Sequence, residues 1–121
     1  MTNLGRFLRK LRIDHDEILF DMAQRLEVSP SFLSAVENGK KTPPVGWIDQ
    51  ITDQYNLDLS QQEELRNLLS DAVSQIRLNL SNQTIEKRDL AFAFARRFES
   101  MSSEETEAVL KILNRHNNSE E

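Results

Sequence analysis

Between Ser29 and Lys41 the chain concentrates Ser29, Ser31, Ser34, Asn38, Lys40 and Lys41. A serine hydroxyl gives and accepts hydrogen bonds, an amide does so from two separate atoms, and an ammonium only donates. Such a set suits recognition of a polar, negatively charged surface rather than bond making. The groups that would support catalysis or metal binding are missing or scattered. The carboxylate pairs Glu63-Glu64 and Glu104-Glu105 fall at helix starts, where they favour the helix dipole. His15 and His116 stand alone, there is no cysteine, and no Gly-rich phosphate loop or Ser-His-Asp set occurs. The expectation is a non-enzyme with no metal and no cofactor.

The residues around this cluster must form the elements that present it. Leu19 to Asn38 reads LFDMAQRLEVSPSFLSAVEN. Ile18 to Leu26 has Ile18, Met22, Ala23 and Leu26 on one side of a helix. Ser29 is a strong N-cap, and Pro30 suits the first position of a second helix running to Glu37. Asn38-Gly39 ends it. Two helices crossing through so tight a turn need a small residue where they touch, which Ala23 supplies. They also need apolar anchors, which Met22, Leu26, Val28, Leu33 and Val36 supply. Neither helix interior contains proline.

From about Leu4 to Leu57 the chain resembles the helix-turn-helix domain of the lambda-repressor/Cro (XRE) family. Ser29 to Lys40 is similar to that family's recognition helix with its typical ending. The resemblance covers somewhat under half of the chain. It implies five helices, a recognition helix in the major groove of double-stranded DNA, and a homodimer on a two-fold operator. By position it implies that Pro30, Ser31, Phe32, Ser34 and Ala35 reach base edges. It likewise assigns Ser29, Asn38, Lys40, Lys41 and the start of the helix at Leu19 to phosphates.

Ser31 and Ser34 bond to either base type and so discriminate weakly, whereas Phe32 or Ala35 can touch a thymine methyl. Phe32 is equally well placed to be core. Arg9, Lys10 or Arg12 can add backbone contacts. Two positions depart from the family pattern: Glu27 stands where Gly is common in the turn, and Leu19 where Gln is common at the start of the motif. A left-handed Glu27 costs on the order of 1 kcal/mol. Without Arg, Gln or Asn in the body of the recognition helix, bidentate base readout is scarce, and specificity rests partly on DNA shape.

The remainder of the chain is also helical in pattern. Leu4, Phe7, Leu8 and Leu11 form a helical stripe opened by Asn3 as N-cap. Val45 to Tyr55 points Trp47, Ile48, Ile51 and Tyr55 inward. Ser60 with Glu63 reads as a capping box opening a long helix with Leu65, Leu68, Leu69, Ala72, Val73 and Ile76 apolar. Ile76 to Leu80 alternates apolar and polar residues, so this stretch is either a strand or the end of that helix. Ile85 to Phe98 follows, and Ser103 caps a last helix from Glu104 to Asn114.

The fold expected is all-α: a five-helix DNA-binding domain at 1–59, a helical dimerisation or partner-binding region at 60–115, and a disordered tail at 116–121. Leu65, Leu69, Val73, Ile76, Leu80, Phe94 and Phe98 are candidates for the interface, although the stripe from Leu65 to Ile76 can equally pack on the domain. Phe92 lies off the face set by Leu90, Ala93 and Phe94, and a helix apolar on two sides is normally covered on two sides.

With 121 residues, 38% hydrophobic, 29% charged and a net charge of −5, the chain has the balance of a soluble cytoplasmic protein. No apolar run reaches the roughly 20 residues needed to cross a bilayer. The opening Met1 to Arg12 is basic but not a signal peptide. Its positive residues Arg6, Arg9, Lys10 and Arg12 contrast with acid gathered in the second half, a DNA face in front and an acidic rear. The leading functional expectation is a dimeric repressor of its own operon. The alternative is an antitoxin or antagonist whose C-terminal helices hold a toxin or metallopeptidase.

Overall fold

The computed structural model describes residues 1–119. The helices are α1 (Asn3–Asp14), α2 (Leu19–Arg25), α3 (Pro30–Glu37), α4 (Trp47–Tyr55), α5 (Leu59–Ala72), α6 (Ile85–Arg97) and α7 (Ser103–Ser119), with a short 3-10 turn at Phe98–Ser100. Among the described residues there is no strand. The chain divides into two compact units, Met1–Ile76 and a second from Arg77 onward.

The first unit is built around one core. Leu4, Leu8 and Leu11 of α1 enter it with Met22, Ala23, Leu26, Leu33, Val36, Trp47, Ile51, Tyr55, Leu57, Leu65 and Leu69. Ala23 is small where α2 and α3 cross and is buried there, as the turn geometry demands. Each fully buried Leu, Ile, Val or Met side chain of this core contributes roughly 1.5–3 kcal/mol. Leu65 and Leu69 are part of this core, which removes them from any interface. The unit therefore extends past the boundary expected at residue 59 and takes in α5.

The first four helices end alike. A residue in the left-handed region follows each, and the next amide folds back five residues. After α1 it is Asp16 (φ 55°), with the Glu17 amide donating to the Arg12 carbonyl at 2.8 Å. After α2 it is Glu27 (φ 58°), with Val28 donating to Ala23 at 3.0 Å. After α3 it is Gly39 (φ 78°), with Lys40 donating to Ala35 at 2.8 Å, and after α4 it is Asn56 (φ 51°), with Leu57 donating to Thr52 at 3.1 Å. This closure satisfies carbonyls that the helix leaves open and turns the chain sharply. The apolar residues Val28 and Leu57, just beyond two of these turns, pack on the core.

Local chemistry corrects several sequence expectations. The N-cap of α1 is Thr2, not Asn3: the Thr2 hydroxyl accepts from the Gly5 amide at 3.0 Å. Ile18 precedes α2 and is exposed rather than inward, and Val45 is exposed ahead of α4. The capping box of α5 is Asp58 with Gln61, not Ser60 with Glu63. The Asp58 carboxylate accepts from the Gln61 amide at 2.8 Å, and the Gln61 side chain accepts from the Asp58 amide at 3.0 Å. The helix thus starts two residues earlier than its serine suggests. It also ends earlier, at Ala72, where Val73 turns extended. Ile76 to Leu80 forms neither strand nor helix within the chain.

In the second unit, the Thr84 hydroxyl caps α6 by accepting from Lys87. Ser102, rather than Ser103, caps α7. Its hydroxyl accepts from the Glu105 amide at 3.1 Å, while the Glu105 carboxylate accepts from the Ser102 amide at 3.1 Å and from Arg97 at 2.8 Å. These contacts, the Ser102 amide first and Arg97 next, hold the Glu105 carboxyl below its ordinary range. No side chain of α6 is buried, and Ile85, Leu90, Phe92, Phe98, Leu110 and Leu113 are all exposed in the single chain. Of the disordered tail expected at 116–121, residues 116–119 instead continue α7, which runs to Ser119, and 120–121 lie outside the described residues.

Candidate nucleic-acid interface

α3 begins where the sequence places it. The Ser29 hydroxyl accepts from the Phe32 amide at 3.1 Å and Pro30 occupies the first turn. Its inner side buries Leu33, Val36 and Glu37. Glu37 is a carboxylate in that interior, only 2% exposed, and it is answered by Arg12 of α1, 7% exposed. The two guanidinium nitrogens of Arg12 donate to the two carboxylate oxygens of Glu37, Nη2 to Oε1 at 3.1 Å, and Nη1 also lies 3.3 Å from the Met22 sulfur. Bidentate geometry and full pairing are what allow a buried charge.

The same end of α3 is held from a second direction. The Glu37 carbonyl accepts from the Thr2 amide at 3.1 Å and from the Thr2 hydroxyl at 2.9 Å. Gly5 makes this approach possible, since a Cβ on it would overlap the Glu37 carbonyl oxygen.

The outer side of α3 is then determined by helical geometry. Ser31, Ser34, Ala35 and Asn38 recur at the spacing of a single stripe opposite the buried residues. Ser31 and Asn38 are exposed, and Ser34 and Ala35 half-buried. Ser29 and Pro30 are exposed at the start of the helix. Asn38 donates its side-chain amide to the Ser34 carbonyl at 3.0 Å, which orients it along the helix end. Lys40 and Lys41 follow in the exposed loop, and both of their backbone amides donate to Ala35, at 2.8 and 3.3 Å. Small donors and acceptors therefore line the helix, and two cations sit at its C-terminal end.

Three expected contributors stand differently. Phe32 is half-buried and packs edge-on to Trp47 at 6.2 Å between centroids, so its ring is engaged with the core. Leu19 is packed against the core and carries no polar side-chain group. The start of its helix holds the Asp21 carboxylate, which accepts from the Ile18 amide at 2.9 Å, and a negative charge there opposes a phosphate. Arg12 is committed to Glu37 and leaves the set of possible backbone contacts, whereas Arg9 and Lys10 are exposed.

Two functional supports escaped sequence reasoning. Arg12 lies four residues beyond Leu8 on the buried stripe of α1, and Glu37 lies four beyond Leu33 on that of α3. Opposite charges at buried positions of two helices are a legible signal for an ion pair. The second support holds α4 against the end of α1. The Tyr55 hydroxyl donates to Glu17 at 2.7 Å, Arg25 donates to the other Glu17 oxygen at 2.5 Å, and Arg25 lies 5.1 Å over the Tyr55 ring. His15 meets the same ring edge-on at 5.0 Å. Burial first, and the Glu17 bond next, push the Tyr55 phenol well above its ordinary value.

Of the expected interface residues, Val73 and Leu80 are half-buried, while Ile76, Phe94 and Phe98 are exposed. Phe94 and Phe98 pack against each other with rings tilted by 47° and centroids 5.5 Å apart. Among the described residues, no group of three or more His, Cys, Asp or Glu is placed to hold a metal ion, and no helix is long and apolar enough to cross a membrane.

A family model described as "Helix-turn-helix domain" matches residues 3–67, more than half of the 121-residue chain. That span covers α1 to α4 and the part of α5 that carries Leu65. The match fits the resemblance to the lambda-repressor/Cro type. No curated protein and no solved structure matches the chain.

Proposed function

Because the chain belongs to the helix-turn-helix domain family, we propose that it is a transcription regulator that binds double-stranded DNA as a homodimer and represses its own operon by occluding the promoter. The observation that supports this most is the anchoring of α3. The buried Arg12–Glu37 pair and the Thr2 bonds hold its end rigidly, leaving Ser31, Ser34, Ala35 and Asn38 facing outward beside Lys40 and Lys41.

In this reading Pro30, Ser31, Ser34 and Ala35 meet base edges, and Ser29, Asn38, Lys40 and Lys41 meet phosphates. Two such helices in a dimer would enter successive major-groove faces roughly 34 Å apart. The activity is binding rather than catalysis. The test is fluorescence anisotropy of the full chain on its own upstream DNA and on a scrambled duplex, each at two salt concentrations. Salt-sensitive binding that prefers the upstream DNA is expected. Equal affinity for both duplexes would refute an operator-specific repressor.

A second role is supported by the exposed apolar side chains of α6 and α7: capture of a partner protein, in the manner of an antitoxin. It is compatible with DNA binding. Co-expression with the neighbouring gene product, followed by co-purification through tagged full-length chain, tests it.

A further inference from the structure

The stretch from Ile76 to Leu80 is neither helix nor strand in the single chain, yet it has what a strand requires. Among the described residues, no backbone amide from Ser74 to Leu80 donates to another backbone group. The preceding helix stops at Ala72 because Val73 adopts extended dihedrals (φ −110°, ψ 121°). The stretch is ended by a turn: Asn79 accepts from the Ser81 amide at 3.0 Å, Gln83 donates to the Leu80 carbonyl at 3.3 Å, and Asn82 is left-handed at φ 65°. Ile76, Leu78 and Leu80 alternate with Arg77 and Asn79, which puts the three apolar residues on one face of an extended chain. Ile76 and Leu78 are 67% and 66% exposed. A run of unpaired amides with an apolar face is a template for another strand.

We propose that the occupant is the same stretch of a second copy, forming an antiparallel two-stranded ribbon centred on Leu78. The sequence is self-complementary in that register. Leu78 faces Leu78 across the two-fold axis, Ile76 faces Leu80, and Arg77 faces Asn79. Centring on Arg77 would oppose two like charges, which destabilises a pair. Centring on Asn79 would run the strand into the turn and set Ile76 against Asn82. Only the register centred on Leu78 pairs every apolar residue with another and no charge with its like. Two strands alone are marginal in water. Arg77 to Leu80 lie in the same unit as α6 and α7, whose exposed apolar side chains offer further surface for burial.

This inference deepens the homodimer reading by naming its contact, and it is tested without DNA so that the two can fail separately. The chain contains no cysteine, so single thiols can be introduced cleanly. In the proposed register Leu78→Cys brings two thiols together with Cα atoms about 4.5–5.5 Å apart, inside the disulfide range. Ile76→Cys places its own thiols about 13 Å apart along the strands, and so does Leu80→Cys.

Under mild oxidation, full-length Leu78→Cys should run as a covalent dimer. Ile76→Cys and Leu80→Cys should each stay uncrosslinked alone and crosslink when mixed. The untreated parent chain should sediment as a dimer. A monomeric parent, or a dimer in which Leu78→Cys stays uncrosslinked, would overturn the proposal. So would crosslinking of Ile76→Cys alone, which would mean another register.

Discussion

The guanidinium of Arg12 on α1 and the carboxylate of Glu37 on α3 meet through two hydrogen bonds with both side chains almost fully withdrawn from solvent. Removing one member leaves the other as a buried, unanswered charge, whereas removing both does not. Glu37→Leu should therefore cost about 3–5 kcal/mol. Arg12→Met combined with Glu37→Leu should recover most of that loss. Urea unfolding followed by the fluorescence of Trp47, the single tryptophan, measures each variant. Additive losses in the double variant would show that the pair is not energetically coupled.

Tyr55 holds its proton more tightly in the folded chain than in the unfolded one, through burial and the bond to Glu17. Stability from this source is complete below the ordinary phenol value of 10.0 and falls as pH rises past it towards the raised folded value. Unfolding in urea at about pH 8 and about pH 11 should show a loss at the higher pH. Tyr55→Phe should reduce that loss, at a cost of about 1 kcal/mol near neutrality from the missing hydrogen bond. Since the chain has one tyrosine, tyrosinate absorbance reports its ionisation alone.

Glu27 sits at φ 58° in the turn between α2 and α3. Asp16 and Asn56 occupy the same conformation in other turns, but short polar side chains tolerate it and a glutamate does so less well. Glu27→Gly should stabilise the chain by about 0.5–1 kcal/mol, the relief of strain exceeding the extra backbone entropy of glycine. Asn56→Gly should gain less. A rise in Tm for Glu27→Gly that exceeds that for Asn56→Gly is the expected result of thermal unfolding.

On DNA, charge and hydroxyl variants should behave differently. Lys40→Ala with Lys41→Ala should weaken binding to upstream and scrambled duplex alike, and lower the salt slope by about 2 per subunit. Ser31→Ala with Ser34→Ala should leave the slope intact and cost about 1–3 kcal/mol on the upstream duplex only. An unchanged slope for the lysine pair would remove the loop from the DNA face.

Much of this protein is readable residue by residue. Ser29, Pro30 and Gly39 mark the start and stop of α3 because cap chemistry is local, and Met22, Ala23, Leu26, Leu33 and Val36 show its anchoring because helical periodicity is local too. The left-handed Glu27 follows from the turn it occupies. What depended on tertiary structure was how distant groups were shared.

Arg12 reads as a free cation until packing places Glu37 against it, and Phe32 reads equally as a base reader or a core residue until Trp47 meets its ring. Leu65 and Leu69 fit an interface or a core equally well by spacing, and only the space left beside α1 and α4 decided for the core. A periodic pattern tells which face of a helix avoids water. It does not tell what covers that face, because the covering residues come from elsewhere in the chain.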